Sequence, residues 1–298
     1  MTHQALGARI SVAPSRGGGQ SAEMNTTQAG ERDYVLGTHD EEIQRLGLQH
    51  RVWRPRALAA WQAAGFTVGQ TLLDLGCGPG YAALDLAEIV GPGGRVIALD
   101  RSRRFLDALD ATARQRGLAH LETVEVDLEQ GELPAVKADG AWGRWVLAFL
   151  RHPRELLARV RESLRPGGAL VLHEYLHYTT WRMAPRCVEL EEFVERVVES
   201  WHATGGEPDV GLDLPHWLET LDFEIRHLRP VVEMVGPSDF VWQWPHAFLD
   251  VGLRRLVDLG YVDAERARQM GQAIAAAAAR PHARMVLPMA IEIVARRR

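Results

Sequence analysis

The stretch Leu72-Leu73-Asp74-Leu75-Gly76-Cys77-Gly78-Pro79-Gly80-Tyr81 decides how the rest of the chain is read. Leu72 to Leu75 read as the end of a buried parallel strand, and the glycines let the backbone come close to a ligand. The periodic segment from Tyr81 to Val90 opens a helix whose positive end faces that ligand. Strand, glycine turn and helix together make a site shaped for a nucleotide.

Outward from this turn the chain alternates strand and helix. Gly91-Pro92-Gly93-Gly94 is a turn, Arg95 to Asp100 (RVIALD) a second buried strand, and Ser102 can cap a helix carrying Phe105, Leu106, Leu109 and Ala113. Leu121 to Val126 reads as a third strand, Asp139 to Trp142 as a short fourth, Pro153 to Leu164 as a helix, and Ala169 to Glu174 as a fifth strand. Strands separated by helices imply right-handed crossovers and a doubly wound α/β sheet, with ligands at the carboxyl ends of the strands. Beyond Trp181 the alternation stops. A helical stripe (Leu190, Phe193, Val194, Val197, Val198, Trp201) is followed by a short helix from Leu214 to Leu221, a sixth strand from Phe223 to Leu228, an Ala-rich helix from Ala264 to Arg280 and a last strand from Met285 to Ala295. Residues 181–220 and 231–284 then read as helical cap insertions on a core of residues 67–180, completed by 221–230 and 285–298. In front of the core, residues 33–66 form a helical lid ending at Gly65, and residues 1–32, with Gly17-Gly18-Gly19 and no apolar periodicity, a disordered tail.

Composition excludes several classes. A net charge of -5 gives no basic surplus for nucleic acid, two cysteines are too few for a disulfide scaffold or a Cys-based zinc site, and no apolar run approaches the ~20 residues of a membrane span. The expectation is a cytoplasmic enzyme with no membrane partner, and a homodimer is compatible with everything above.

The glycine spacing departs from the dinucleotide fingerprint, because Tyr81 stands where the third glycine would fall. Its neighbours are more informative: Asp74 precedes the first glycine, Asp100 ends the second strand, and Asp127 follows the third. The segments DLGCGPG, VIALD, VEVDLE and LRPGGALVL, in this order, resemble the sequential motifs of the class I S-adenosylmethionine-dependent methyltransferases of small-molecule type. The resemblance implies a Rossmann-like seven-stranded sheet with its last strand antiparallel. It also implies S-adenosylmethionine as cofactor, leaving as S-adenosylhomocysteine, on Gly76, Gly78, Gly80, Asp74, Asp100, Arg101, Ser102, Asp127 and Leu128. In that family the residue matching Asp100 accepts both ribose hydroxyls, the one matching Asp127 meets the adenine amine with Leu128 beside the ring, and Asp74 fixes the turn or meets the methionine ammonium. Arg144 and Trp145 match the segment after the fourth strand that lines the cofactor, and Tyr34, with Arg45 and Gln49, belongs to a lid over it.

Methyl transfer from a sulfonium is an in-line displacement, so the protein aligns the nucleophile, excludes water and removes a proton where needed. His173, Glu174 and His177 are the candidate bases, each of which is also readable as a satisfied polar group at a strand end. No metal site is expected. Tyr175 and Tyr178 shape the pocket, and Trp242 and Trp244, on a Pro-bounded stretch read as non-helical, are the candidates for acceptor binding, whereas Trp201 continues an apolar stripe. The reading is methyl transfer to an O or N nucleophile of a small apolar or aromatic metabolite. A C-methyltransferase of quinone-biosynthesis type and a non-catalytic cofactor sensor are the alternatives.

Overall fold

The structure, a computed structural model, describes residues 40–298. The expected tail and Tyr34 lie outside the described residues.

The glycine turn sits where the pattern places it. Strand β1 (Thr71–Leu75) enters it and helix α2 (Tyr81–Val90) leaves it, after the long helix α1 (Asp40–Ala63). Then come β2 (Arg95–Asp100), α3 (Arg103–Arg116), β3 (Leu121–Glu125), β4 (Ala138–Arg144), α4 (Pro153–Ser163) and β5 (Leu164–His177). The remainder is β6 (Arg182–Ala184), α5 (Val188–Thr204), α6 (Leu214–Thr220), β7 (Phe223–Val231), β8 (Met234–Val235), α7 (Gln243–Asp258), α8 (Ala264–Ala278), β9 (Arg284–Val286) and β10 (Met289–Arg297). The seven-stranded sheet runs β3-β2-β1-β4-β5-β10-β7, and β10 is antiparallel to both of its neighbours. This is the Rossmann-like, doubly wound sheet with an antiparallel last strand.

Local chemistry explains the boundaries. Ser102 caps α3 by accepting the Phe105 N–H at 3.3 Å. Gly65, at a φ of 72°, closes α1: its N–H reaches the Gln62 carbonyl and the Phe66 N–H the Trp61 carbonyl, both at 3.0 Å. Ala57, Trp61, Leu86, Val90 and Leu109 of the first three helices pack on Leu72, Val96, Ala98, Trp142, Val171 and Val294 of the sheet. Side chains alternate along a strand, so this same face receives Asp74, Trp142, Arg144, His173 and Glu292 at the carboxyl end of the parallel strands, where the register pairs Asp74 with Trp142, Arg144 with His173, and His173 with Glu292.

Three expectations are corrected. The single last strand over Met285 to Ala295 is two strands, because Pro288 has no N–H to give a ladder and the chain breaks there into β9 and β10. The cap is not purely helical: β9 pairs with β6 and β8 in a small antiparallel sheet. The stretch holding Trp242 and Trp244 is helical, with a 3-10 turn over Phe240–Trp242 leading into α7. Pro245 falls in the first turn of α7, where a missing N–H costs nothing.

Candidate active site

The floor of the site is the glycine turn. Gly76, Gly78 and Gly80 have φ of 60°, 55° and 82°, the left-handed region that side chains disfavour. Space adds a second demand at two of them: a Cβ on Gly80 would stand 2.2 Å from Leu109 Cδ1, and one on Gly76 2.7 Å from Val146 Cγ2. At Gly78 the nearest atom, on Leu46, is 3.8 Å away, so there the turn is open. Asp100 is buried and accepts the Gly78 N–H through Oδ2 and the Ser102 N–H through Oδ1, both at 2.8 Å. Each oxygen keeps a second lone pair, so a vicinal diol can still be received. Burial raises the Asp100 pKa, against the pull of those amide hydrogen bonds.

Beside the turn lies a row of polar groups crossing the sheet. Asp74 is buried, its pKa raised to about 8 first by desolvation, with Arg144 opposing, and its Oδ2 has no hydrogen-bond partner. Arg144 is lowered to about 10 by burial, and its Nη1 is likewise buried without a partner. An orphaned carboxylate oxygen near an orphaned guanidinium N–H suits a zwitterionic amino-acid end. His173 is buried with Nε2 3.1 Å from Glu292 Oε2, and Glu292 is shared through Oε1 with His227 and Arg229, each at 3.1 Å. A carboxylate only accepts, so this contact puts the His173 proton on Nε2 and leaves a lone pair on Nδ1, which is buried and unpartnered. Burial lowers the His173 pKa, outweighing Glu292, and Arg144 and Arg56 add to the lowering.

Above the row stands an aromatic stack. The Trp145 ring stacks with Tyr175 (centroids 5.2 Å, 19° between planes) and with Trp244 (5.1 Å, 12°), and Trp53 meets Trp145 edge-on at 5.0 Å. Trp145 takes a φ of 50°, which costs about 1–2 kcal/mol for a bulky residue and is offset by the stacking it permits. The roof over this stack is α1. Gly47 lets that helix settle against Tyr81, since a Cβ there would stand 2.9 Å from the phenol ring. The Tyr81 hydroxyl donates to the Ile43 carbonyl at 3.1 Å. Gln49 Oε1 joins α1 to α7 by accepting from Trp244 Nε1 at 3.1 Å and Arg45 Nη1 at 3.3 Å.

The residues singled out by sequence therefore separate. Asp74, Gly76, Gly78, Gly80, Asp100 and Ser102 meet around the turn. Asp127 is exposed and its Oδ1 accepts the Glu129 N–H at 2.9 Å, while Leu128 next to it is buried and Arg101 is exposed. Trp145, Tyr175 and Trp244 stack together, and Tyr178 extends that group at 4.9 Å from Tyr175. Trp242 is buried in the preceding turn and takes no part in the stack. Of the three candidate bases, His173 faces the polar row, Glu174 points to the opposite face and His177 is exposed. Glu174 Oε1 accepts the Val146 and Leu147 N–H groups at 2.9 Å, which anchors the turn after β4, and burial raises its pKa to about 7. Sequence reading missed Glu292, His50, Trp53 and Asp85. Glu292 had left a signal, a lone acid inside the apolar run Met289 to Ala295, and so had Asp85 in the apolar run of α2.

Residues 72–168, from β1 into β5, match a family described as a methyltransferase domain. Demethylmenaquinone methyltransferase of Lactococcus lactis is 32% identical over 136 residues, covering 44% of this chain and 51% of that protein. Nocamycin O-methyltransferase of Saccharothrix syringae is 37% identical over 107 residues, covering 35% and 37%. Geranyl diphosphate C-methyltransferase from Streptomyces coelicolor, solved with Mg2+, geranyl-S-thiolodiphosphate and S-adenosyl-L-homocysteine, superposes with a TM-score of 0.54 at 15% identity over 84% of this chain and 77% of that one. That last likeness concerns the fold alone. The matched stretch spans between 25% and 51% of the length of the first curated relatives. Together these similarities support reading residues 72–168 as a methyltransferase domain of the class I S-adenosylmethionine-dependent kind. Among the described residues no helix is long and apolar enough to cross a membrane, and no group of three His, Cys, Asp or Glu side chains is placed to hold a metal ion.

Proposed function

We propose that this chain methylates an O or N nucleophile on a small molecule carrying a planar aromatic or extended apolar group. The observation that carries the reading is the Tyr175–Trp145–Trp244 stack, with the Arg144 guanidinium of the polar row 5.4 Å from the Trp145 ring. When bound, S-adenosylmethionine supplies an electrophilic methyl group on a sulfonium. Asp100 would receive the ribose hydroxyls, Asp74 the ammonium and Arg144 the carboxylate of the amino-acid end, with Asp127 and Leu128 at the adenine. The stack presents flat apolar surface to the acceptor and excludes water, which strengthens every charge interaction in the site.

His173 is the base this reading favours, because its Nδ1 lone pair is free and Glu292 fixes the tautomer that exposes it. Burial keeps it neutral near pH 7, the state a base needs. C-methylation is the second reading, favoured by the likeness to demethylmenaquinone methyltransferase, and it would use the same stack for an activated ring.

The test is a labelled-methyl screen of phenols, aromatic amines and hydroquinones, repeated on Trp145→Leu. Label on oxygen or nitrogen is expected. Trp145→Leu should lower turnover about tenfold or more while S-adenosylhomocysteine affinity stays within about threefold, the scale set by losing one stacked aromatic pair. Label on ring carbon selects the second reading, and equal losses of turnover and affinity would remove the stack from the acceptor pocket.

A further inference from the structure

The roof helix α1 reaches the polar row through His50. His50 Nδ1 lies 3.3 Å from Arg144 Nη2, while its Nε2 lies 3.0 Å from Asp85 Oδ2 on α2. The same carboxylate is gripped by Arg54, through Nε at 2.7 Å and Nη2 at 3.2 Å. Tyr81 stacks on the imidazole, with centroids 6.0 Å apart and planes at 22°.

We propose that His50 is a positioning residue, which as a neutral imidazole aims Arg144 at the amino-acid end of the cofactor and so ties closure of α1 to cofactor binding. The inference rests on the reading that Arg144 receives the cofactor carboxylate.

The protonation state follows from donor and acceptor inventory. A carboxylate has no hydrogen to give, so His50 Nε2 carries the proton it shares with Asp85. A guanidinium has no lone pair, so Nδ1 must be the acceptor for Arg144. Both ring nitrogens are thereby assigned and there is no place for a second proton. With one Nη2 N–H given to His50, Nη1 remains a buried donor without a partner, free for a ligand. The charged and titratable groups facing His50 are Asp85 and Tyr81 from α2, Arg54 from its own helix and Arg144 from β4. Burial lowers its pKa first, Asp85 opposes, and Arg144 and Arg54 lower it further. Below that pKa a proton on Nδ1 would set an N–H and a positive charge against the guanidinium, so α1 loses its hold on Arg144.

Calorimetry with S-adenosylhomocysteine on the full chain tests this across about pH 4.5 to 7.5, a range extended to the acid side because burial lowers the His50 pKa. The wild-type protein should lose about tenfold more affinity on acidification than His50→Asn. Asparagine keeps an acceptor oxygen near the Nδ1 position and cannot take the proton. At about pH 7.5 His50→Asn should stay within about threefold of wild type, whereas His50→Ala should lose about tenfold at every pH. Asp74 contributes its own pH dependence to all of these proteins, so the comparison between them carries the test. Nitrogen NMR of histidine-labelled wild-type protein with S-adenosylhomocysteine bound should give a lone-pair signal for Nδ1 and an N–H signal for Nε2. The opposite tautomer, or equal acid-side losses in wild type and His50→Asn, overturns the inference. Unchanged affinity in Arg144→Met instead overturns the cofactor reading on which it rests.

Discussion

The floor and the roof of the site are built in different ways. The floor is backbone: three left-handed glycines, a capped helix start, and Asp100 gripping amides that lie 22 and 2 residues away in sequence. The roof is side chains that meet over long separations, such as Trp244 on Gln49 across 195 residues and His50 on Arg144 across 94. A floor of this kind tolerates almost no substitution, because each glycine and each carboxylate answers a local geometric demand. A roof held by stacking and single hydrogen bonds can be re-lined, which suits a scaffold that keeps one methyl donor and changes its acceptor.

The sharpest way to break this contrast is Asp100→Ala. The change strands the buried Gly78 N–H and the half-buried Ser102 N–H and removes the acceptor for two hydroxyls, and hydrogen bonds to a charged group are worth roughly 1.5–3 kcal/mol each. S-adenosylhomocysteine affinity should fall about 100-fold or more by calorimetry, with melting little changed once Gly78 and Ser102 regain water. An affinity near the wild-type value would show that the floor does not grip ribose.

A smaller effect separates shape from conformation within the floor itself. Gly80→Ala adds a Cβ 2.2 Å from Leu109 in a left-handed residue, whereas Gly78→Ala meets the same backbone penalty with its nearest neighbour 3.8 Å away. Denaturant unfolding should report a loss of about 3–4 kcal/mol for the first and about 1–2 kcal/mol for the second. Equal losses would mean that Leu109 moves aside and that only the turn conformation matters.

The same contrast accounts for what could be read from the sequence. The succession of strands and helices, the glycine turn, Ser102 as a cap and Asp100 at a strand end were legible, because each is a local signal: alternation, a breaker, a capping residue. Trp244 was placed among the acceptor candidates on composition, but its helix was missed because Pro245 looked like a breaker and is a first-turn residue. His173 and Glu174 are both candidates as titratable groups at the end of one strand, and a strand sends adjacent side chains to opposite faces. Glu292, which fixes His173 from 119 residues away, and Asp85, which fixes His50 from 35 away, could be noticed as acids in apolar runs but not matched to partners. Pairing information of this kind lives in the sheet register and the docking of α1, and neither is written in any local pattern.

Asp74 stands at the seam between floor and roof, and its titration tests that position. It rises from 3.8 in the unfolded chain to about 8 in the ligand-free fold, chiefly through burial. The folded protein therefore holds a proton that the unfolded chain releases between those values. The associated stability is complete below the unfolded pKa and is lost as pH rises through the folded one. Chemical denaturation at about pH 5 and pH 8 should show wild type losing more stability than Asp74→Asn over that interval, by up to about 1.4 kcal/mol for each pH unit between the two pKa values. An ammonium ligand reverses the preference, since it binds the ionised form. S-adenosylhomocysteine binding near pH 7 should then release a proton, visible as a buffer-dependent calorimetric enthalpy that Asp74→Asn abolishes. If wild type and Asp74→Asn share one pH profile and release no proton, Asp74 holds the glycine turn and nothing more, and the seam belongs wholly to the floor.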